Sequence, residues 1–270
     1  MKLSLVLSTH QAQFQAVALK GDFENNVAKI ANWGYDGVEL AIRDPKLVDS
    51  DSLQEVILQQ GLVVPAIGTG QAWGEEGLSF TSDDLAVRLA AIERIKSHIS
   101  IARQFDAVII LGLIRGITPR GQTHERSMIY LVEALQECAA AGVDSGVRFA
   151  LEPLNRYETD LIHTVEDGLD LIEQVGAANF GLLLDTFHMN IEEPIINQSI
   201  RTCGDRIFHF HVADSNRWFP GAGHLDFESI LNTLISIGYD GHVSGEFMPV
   251  PDAEVSALEC IRTLRGIASL

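Results

Sequence analysis

Eight short apolar runs, most of them ending in or beside a Gly, Asp, His or Glu, alternate along this chain with longer stretches whose apolar residues recur every three or four positions. The runs are Leu3–Ser8, Gly37–Ile42, Val63–Gly68, Ala107–Gly112, Val147–Glu152, Gly181–Asp185, Ile207–Val212 and Val243–Phe247. That rhythm is the signature of repeated strand–helix units, in which each strand is buried on both faces. Eight parallel strands lose their exposed edges only by closing on themselves. An open doubly wound sheet would show a phosphate-binding glycine fingerprint after its first strand, and the turn here reads STHQAQFQ, without glycine. The chain has 270 residues and no Pro/Gly/Ser-rich linker, close to the roughly 250 of an eightfold barrel. The expected fold is therefore α/β, a (β/α)8 TIM barrel forming one catalytic domain over residues 1–270.

Local signals agree with this reading. Asp83–Gln104 reads as an amphipathic helix with Leu85, Leu89, Ile92, Ile95 and Ile99 on one stripe and a cap in Thr81-Ser82-Asp83. Gly34-Tyr35-Asp36-Gly37 and Gly238-Tyr239-Asp240-Gly241 are two copies of one helix stop feeding a strand. The net charge of −18 repels polyanions, so neither nucleic acid nor an anionic membrane is an expected partner. No apolar run reaches the eighteen or so residues of a membrane helix, and the first residues lack a signal-peptide core, so a cytoplasmic location is expected. Cys138, Cys203 and Cys260 are widely spaced and read as small core residues.

Barrel enzymes place reacting groups where strands end. In the second half of the chain the strand ends carry Glu152, Asp185, His211 and Glu246, separated by 33, 26 and 35 residues, about one strand–helix unit each. Two carboxylates about 4 Å apart repel by roughly 4 kcal/mol at an effective dielectric near 20, so three converging carboxylates call for a cation. Three oxygen donors and one nitrogen suit Mn²⁺, with Mg²⁺ or Co²⁺ as alternatives, better than zinc. His209 lies on the same face as His211, one layer deeper, and reads as a hydrogen-bonded core histidine. Glu39 reads as the buried partner of a neighbouring arginine, and the pair Glu192 and Glu193 as the acidic start of a helix.

The segments LEPLNRYET (151–159), LLLDTFHMNIEE (182–193), HFHVADSNR with WFPGAGHLDF (209–227) and SGEFMP (244–249) together resemble the D-tagatose/D-psicose 3-epimerase family of xylose-isomerase-like sugar isomerase/epimerase barrels. MKLSLVLST, AIRDP, AIGTGQA and EPLNRYETD are most similar to the branch acting on keto-sugar acids, 5-keto-L-gluconate and D-tagaturonate. The resemblance implies that Glu152, Asp185, His211 and Glu246 bind the metal. It also implies that Glu152 and Glu246 form the acid/base pair, and that Glu158, His188 and Arg217 hold the O1/O2 end of a ketose. Barrels of this kind commonly pair, so a homo-oligomer is expected.

The chemistry can be derived without the resemblance. A cation drawing charge onto a ketone makes the neighbouring proton removable through an enediolate, and inverting that carbon needs a base on one face and an acid on the other. The substrate expected is a small keto-sugar or keto-sugar acid. Arg115, in GLIRG after the fourth strand, is the residue chosen to meet an acidic group, ahead of Arg43 and Arg156. Trp73, Phe187, Trp218, Phe219 and Phe247 are candidates to wall the pocket, and Gly221 and Gly223 to hinge a lid. An aldose–ketose or hydroxypyruvate-type isomerase on the same barrel is the alternative, because one proton carrier on one face would serve it. A barrel nuclease would need further His and Asp ligands and a basic groove, which the sequence lacks. A binding protein without activity would tolerate loss of either glutamate.

Overall fold

In a strand, successive side chains point to opposite faces, so the apolar spacing of each run fixes which residues meet the outer helices and which meet the lumen. The computed structural model describes residues 1–268; the last two residues of the expected 1–270 domain lie outside the described residues. Among the described residues nine strands form: β1 (Lys2–Ser8), β2 (Leu19–Lys20), β3 (Gly37–Ala41), β4 (Ala66–Gly68), β5 (Val108–Leu111), β6 (Phe149–Leu151), β7 (Phe180–Asp185), β8 (Ile207–Val212) and β9 (His242–Gly245). β1, β3, β4, β5, β6, β7, β8 and β9 pair in that order, all in parallel, and β9 returns to β1, closing an eight-stranded barrel. The short β2 adds to β1 at Leu7 and Ser8, beyond the stretch Lys2–Leu5 that β9 covers.

Leu3, Leu5 and Leu7 of β1, Val38 and Leu40 of β3, Ile109 and Leu111 of β5, Phe149 and Leu151 of β6 and Leu182 and Leu184 of β7 are buried in one large apolar cluster with the helices. The alternate residues Val108, Ile110, Ala150 and Leu183 form a separate cluster with Ala66 inside the barrel. The same alternation turns Glu39, Glu152, Asp185, His209, His211, Ser244 and Glu246 inward.

Several strand limits are shorter than the sequence suggests. Val63 is joined to the sheet only by a bridge to Gly37, because Pro65 has no N–H to continue a ladder. Pro153 likewise stops β6 as soon as Glu152 has bonded to Leu111 O, at 3.2 Å. The helix expected over 83–104 spans Leu85–Phe105 and is capped by Asp84, whose carboxylate accepts the Ala86 N–H at 2.8 Å. Its apolar stripe is only half used: Leu85 and Leu89 are 58% and 50% exposed, whereas Ala91, Ile92, Ile95, Ile101 and Ala102 are buried. A 21-residue helix runs about 31 Å at 1.5 Å per residue, while a four-residue strand spans about 13 Å, so the helix outruns the strand it covers.

Both copies of the Gly-Tyr-Asp-Gly stop are used alike. Gly34 (φ 91) and Gly238 (φ 78) take the left-handed conformation that ends a helix. The hydroxyls of Tyr35 and Tyr239 then donate to Ala257 O and His242 O at 2.8 and 2.7 Å. All three cysteines are buried and free. Among the described residues, no helix is long and apolar enough to cross a membrane.

Because Leu151 is fully buried in the layer between barrel and helices, Leu151→Ala is expected to lower stability by about 2–5 kcal/mol. Leu89→Ala, on the exposed end of its helix, is expected to stay within about 0.5 kcal/mol. Urea denaturation of the two variants beside wild type checks both.

Candidate active site

Glu152 and Glu246 lie one residue past β6 and β9, Asp185 ends β7 and His211 is the penultimate residue of β8. One ligand atom from each of these four lies within 4.8 Å of every other. His211 Nδ1 stands 4.0 Å from Glu152 Oε1, 3.9 Å from Asp185 Oδ2 and 3.8 Å from Glu246 Oε2. Glu152 Oε1, Asp185 Oδ2 and His211 Nδ1 are buried without a hydrogen-bond partner. An unsatisfied buried polar atom is costly, and three aimed at one point are the pattern a cation would satisfy. The other atom of each group is already engaged where the structure shows it: Asp185 Oδ1 accepts the Phe187 N–H at 2.7 Å, and His211 Nε2 bonds to Glu39 at 3.0 Å. Glycine at 112 makes room for the cluster, since a Cβ there would sit 3.2 Å from Glu152 Oε2.

The quartet opens into a cavity of about 270 Å³, near the lower end of the range for small-molecule sites. Glu158, His188 and Arg217 line it beside Glu152, His211 and Glu246. His188 Nδ1 accepts the Asn155 backbone N–H at 3.2 Å and lies 2.8 Å from its side-chain amide. The proton of the neutral ring is thereby placed on Nε2, which is buried, unpartnered and 3.6 Å from Glu152 Oε1. Arg217, in the left-handed region at φ 62, bonds through Nη1 to Glu158 Oε1 at 2.7 Å. Its guanidinium lies over the rings of Phe187 and Phe14, 4.8 and 5.4 Å from their centroids. Asn155 also donates to Glu158, at 3.0 Å, so one amide sets two of the lining groups.

Other expectations are corrected. Arg115 is not a rim cation: it is fully buried, and all five of its N–H groups are spent on the main-chain carbonyls of Leu111, Gly112, Glu152, Leu161 and Ile162. A guanidinium so used has no donor left for a substrate carboxylate. Arg43 is paired with Glu75 and Glu76, and Arg156 with Glu192. Glu39 has imidazoles as partners rather than an arginine, with His209 Nε2 at 2.7 Å. Glu192 and Glu193 do not start a helix: Glu192 ends the helix Thr186–Glu192, and Glu193 accepts the Val165 N–H, the first of another helix, at 2.7 Å. Among the aromatic candidates, Trp73 lines the cavity and Phe187 supports Arg217, while Phe247 is buried in the core and Phe14, unforeseen, is a wall. The expected lid glycines wrap a buried carboxylate instead. Asp214 accepts the N–H groups of Ser215, Gly221 and Leu225, and a Cβ on Gly223 would lie 2.2 Å from its Oδ1.

Electrostatics repeat the geometry. Burial, with Glu246 adding to it, pushes the Glu152 carboxyl well up, and burial lifts Asp185 also. Burial raises Glu246 to about 7 despite the opposing influence of His211 and Arg217. Burial opposes the His211 imidazolium, but the Glu39 and Glu246 carboxylates outweigh it and raise the group to about 10. Without a cation, the quartet holds protons that an unfolded chain would release.

A family model described as "Xylose isomerase-like TIM barrel" matches residues 27–264. The L-ribulose 3-epimerase of Mesorhizobium japonicum is 32% identical over 246 residues, covering 89% of this chain and 80% of that protein. The D-psicose 3-epimerase of Ruminiclostridium cellulolyticum is 32% identical over 234 residues, covering 83% and 78%. A solved L-ribulose 3-epimerase superposes with a TM-score of 0.84 at 27% identity, over 100% of this chain and 96% of that one.

The pH dependence of the metal-free protein follows from His211. Its folded value of about 10 lies above its unfolded one, so its stabilising contribution is complete below the unfolded value and is lost as pH rises toward 10. Thermal unfolding in chelator is expected to shift to lower temperature from pH 7 to pH 9. A saturating divalent cation is expected to flatten that dependence, because it takes the place of the proton on Nδ1.

Proposed function

The chain belongs to the xylose isomerase-like TIM barrel family, and from that premise we propose that it is a divalent-metal-dependent keto-sugar epimerase inverting the carbon next to the ketone. The observation that carries the reading is the quartet Glu152, Asp185, His211 and Glu246, with three buried atoms lacking any partner and turned toward one point. These four would hold the ion, and the likeness to proteins named L-ribulose 3-epimerase and D-psicose 3-epimerase supports the epimerase reading. Three carboxylate oxygens and one imidazole nitrogen favour Mn²⁺, with Mg²⁺ or Co²⁺ as substitutes. When bound, the cation supplies a Lewis acid that draws charge onto the ketone oxygen.

The proteinaceous part of the mechanism follows from position. Glu152 and Glu246 come from strands on different sides of the lumen. One removes the proton from the carbon next to the ketone, and the other returns a proton to the opposite face. His188, with its proton on Nε2, donates to the oxygen on which negative charge develops in the enediolate. Arg217, held by Glu158 and two aromatic faces, fixes the O1/O2 end. Phe14, Val17 and Leu113 exclude water from the reacting carbon.

The substrate class we propose is a six-carbon keto-sugar, and the likeness to the branch acting on keto-sugar acids ranks 5-keto-L-gluconate and D-tagaturonate first. With Arg115 withdrawn, a carboxylate would be met by neutral donors, since Gln13, Gln71 and the Gly68–Gly70 backbone complete the lining. A hydrogen bond of that kind contributes about 0.5–1.5 kcal/mol, so the acid and its neutral ketohexose are expected to differ by no more than about tenfold in kcat/KM. A preference of several orders of magnitude for the acid would require a second cation, since Arg217, engaged with the O1/O2 end, is the one arginine or lysine of the lining among the described residues.

Incubation of the Mn²⁺-loaded protein with keto-sugars and keto-sugar acids in D₂O, followed by NMR, tests the reaction. Deuterium at the inverted carbon of a ketose product is expected; an accumulating aldose would establish the isomerase alternative instead. Glu152→Gln and Glu246→Gln are each expected to lower kcat by roughly 10²–10⁴-fold with the fold retained by circular dichroism. Removal of the metal by chelation is expected to abolish turnover, and added Mn²⁺ to restore it.

A further inference from the structure

We propose that Glu39 is a positioning residue for the cation site, fixing the proton of His211 on Nε2 so that the Nδ1 lone pair faces the ion; the inference rests on the metal-dependent reading above. Glu39 is 1% exposed, on β3, and lines the cavity. Both of its oxygens lie 3.0 Å from His211 Nε2. Between β3 and β8 stand β1 and β9 in the barrel order, so this contact spans the lumen and is not an ordinary pairing of adjacent strands. A carboxylate can only accept here, so Nε2 must carry the proton, and Nδ1 is the nitrogen left bare.

The carboxylate is itself held. His209 Nε2 bonds to Glu39 Oε2 at 2.7 Å and lies 3.1 Å from Ser244 Oγ, which in turn is 2.6 Å from Ser4 Oγ. The two imidazoles stand edge to face, 5.3 Å between centroids at 82°, an arrangement that lets two rings from one strand face reach one acceptor. Glu39, His209 and His211 are themselves close enough to be considered as a metal group. Their contacts of 2.7–3.0 Å are hydrogen-bond distances, however, and the Glu39 carboxylate can accept the Nε2 proton of each imidazole, which leaves the trio satisfied without an ion. The trio therefore acts behind the ligand rather than as a second site. A carboxylate behind a ligating imidazole orients the ring and raises its basicity, and loss of such a partner typically weakens metal binding about 10–100-fold.

The test uses the full chain stripped with chelator. Mn²⁺ is titrated into wild type and Glu39→Gln, with free Mn²⁺ followed by electron paramagnetic resonance, and thermal unfolding of both metal-free proteins serves as the fold control. Glutamine can accept from one imidazole but presents N–H to the other, so a folded variant is expected to bind Mn²⁺ about 10–100-fold more weakly. Affinity within about threefold of wild type in a folded variant would overturn the inference while leaving the metal reading intact. A wild type that binds no divalent ion would overturn both. If Glu39→Gln does not fold, ¹⁵N NMR of Mg²⁺-loaded, histidine-labelled wild type decides. A proton on His211 Nε2 and none on Nδ1 supports the assignment; the reverse tautomer defeats it.

Discussion

Three carboxylates and an imidazole are held against one another at the mouth of the barrel, and among the described residues no arginine or lysine is paired directly with them. The ligand atoms lie within 4.8 Å of one another, where mutual repulsion in a poorly screened site amounts to several kcal/mol for each like pair. The nearby arginines relieve this only in part, because their hydrogen bonds go to other groups. Arg217 is committed to Glu158, and Arg115 to five carbonyls. A centre so arranged is poorly balanced until a small divalent ion or protons enter it. The raised values of Glu246 and His211 express the same fact in another currency.

The barrel makes that crowding possible by geometry alone. Parallel strands run in register, so the last inward residue of each arrives at the same rim, and four consecutive units deliver four side chains from 95 residues of chain, Glu152 to Glu246. Small local devices refine the delivery. Pro153 stops the ladder directly after Glu152, the residue that follows β6, Gly112 leaves space for the Glu152 carboxylate, and Asp185 uses one oxygen to start the helix that carries His188. The catalytic proposal thus depends on where strands stop as much as on which residues they carry.

The arginines show how far charge can be read from a sequence. Arg115 sits in a Gly-flanked turn where an exposed, substrate-directed cation is a reasonable expectation. The structure instead folds the turn back on itself, and the guanidinium binds the carbonyls at the ends of β5 and β6 together with the 161–162 segment. That is a structural use of a planar five-donor group, well suited to satisfying several buried acceptors at once. Its consequence for function is indirect but real: among the described residues Arg217 is left as the one arginine or lysine that lines the cavity.

What the sequence by itself determined is what covalent spacing and periodicity can encode. The period-two and period-3.6 patterns define eight strand–helix units, their count and parallel order define the barrel, and residues closing successive strands at unit spacing must share its rim; Glu152, Asp185, His211 and Glu246 were legible for that reason. Tertiary structure alone decided what depends on contacts between distant segments. It pairs Glu39 with two imidazoles 170 and 172 residues away, buries Arg115, assigns Asn155 to hold His188, and brings Phe14 beside Arg217. No local pattern marks such partners, because a buried polar group is satisfied by whichever complementary atom the closed barrel brings within about 3 Å, and that is fixed only when all eight strands have met.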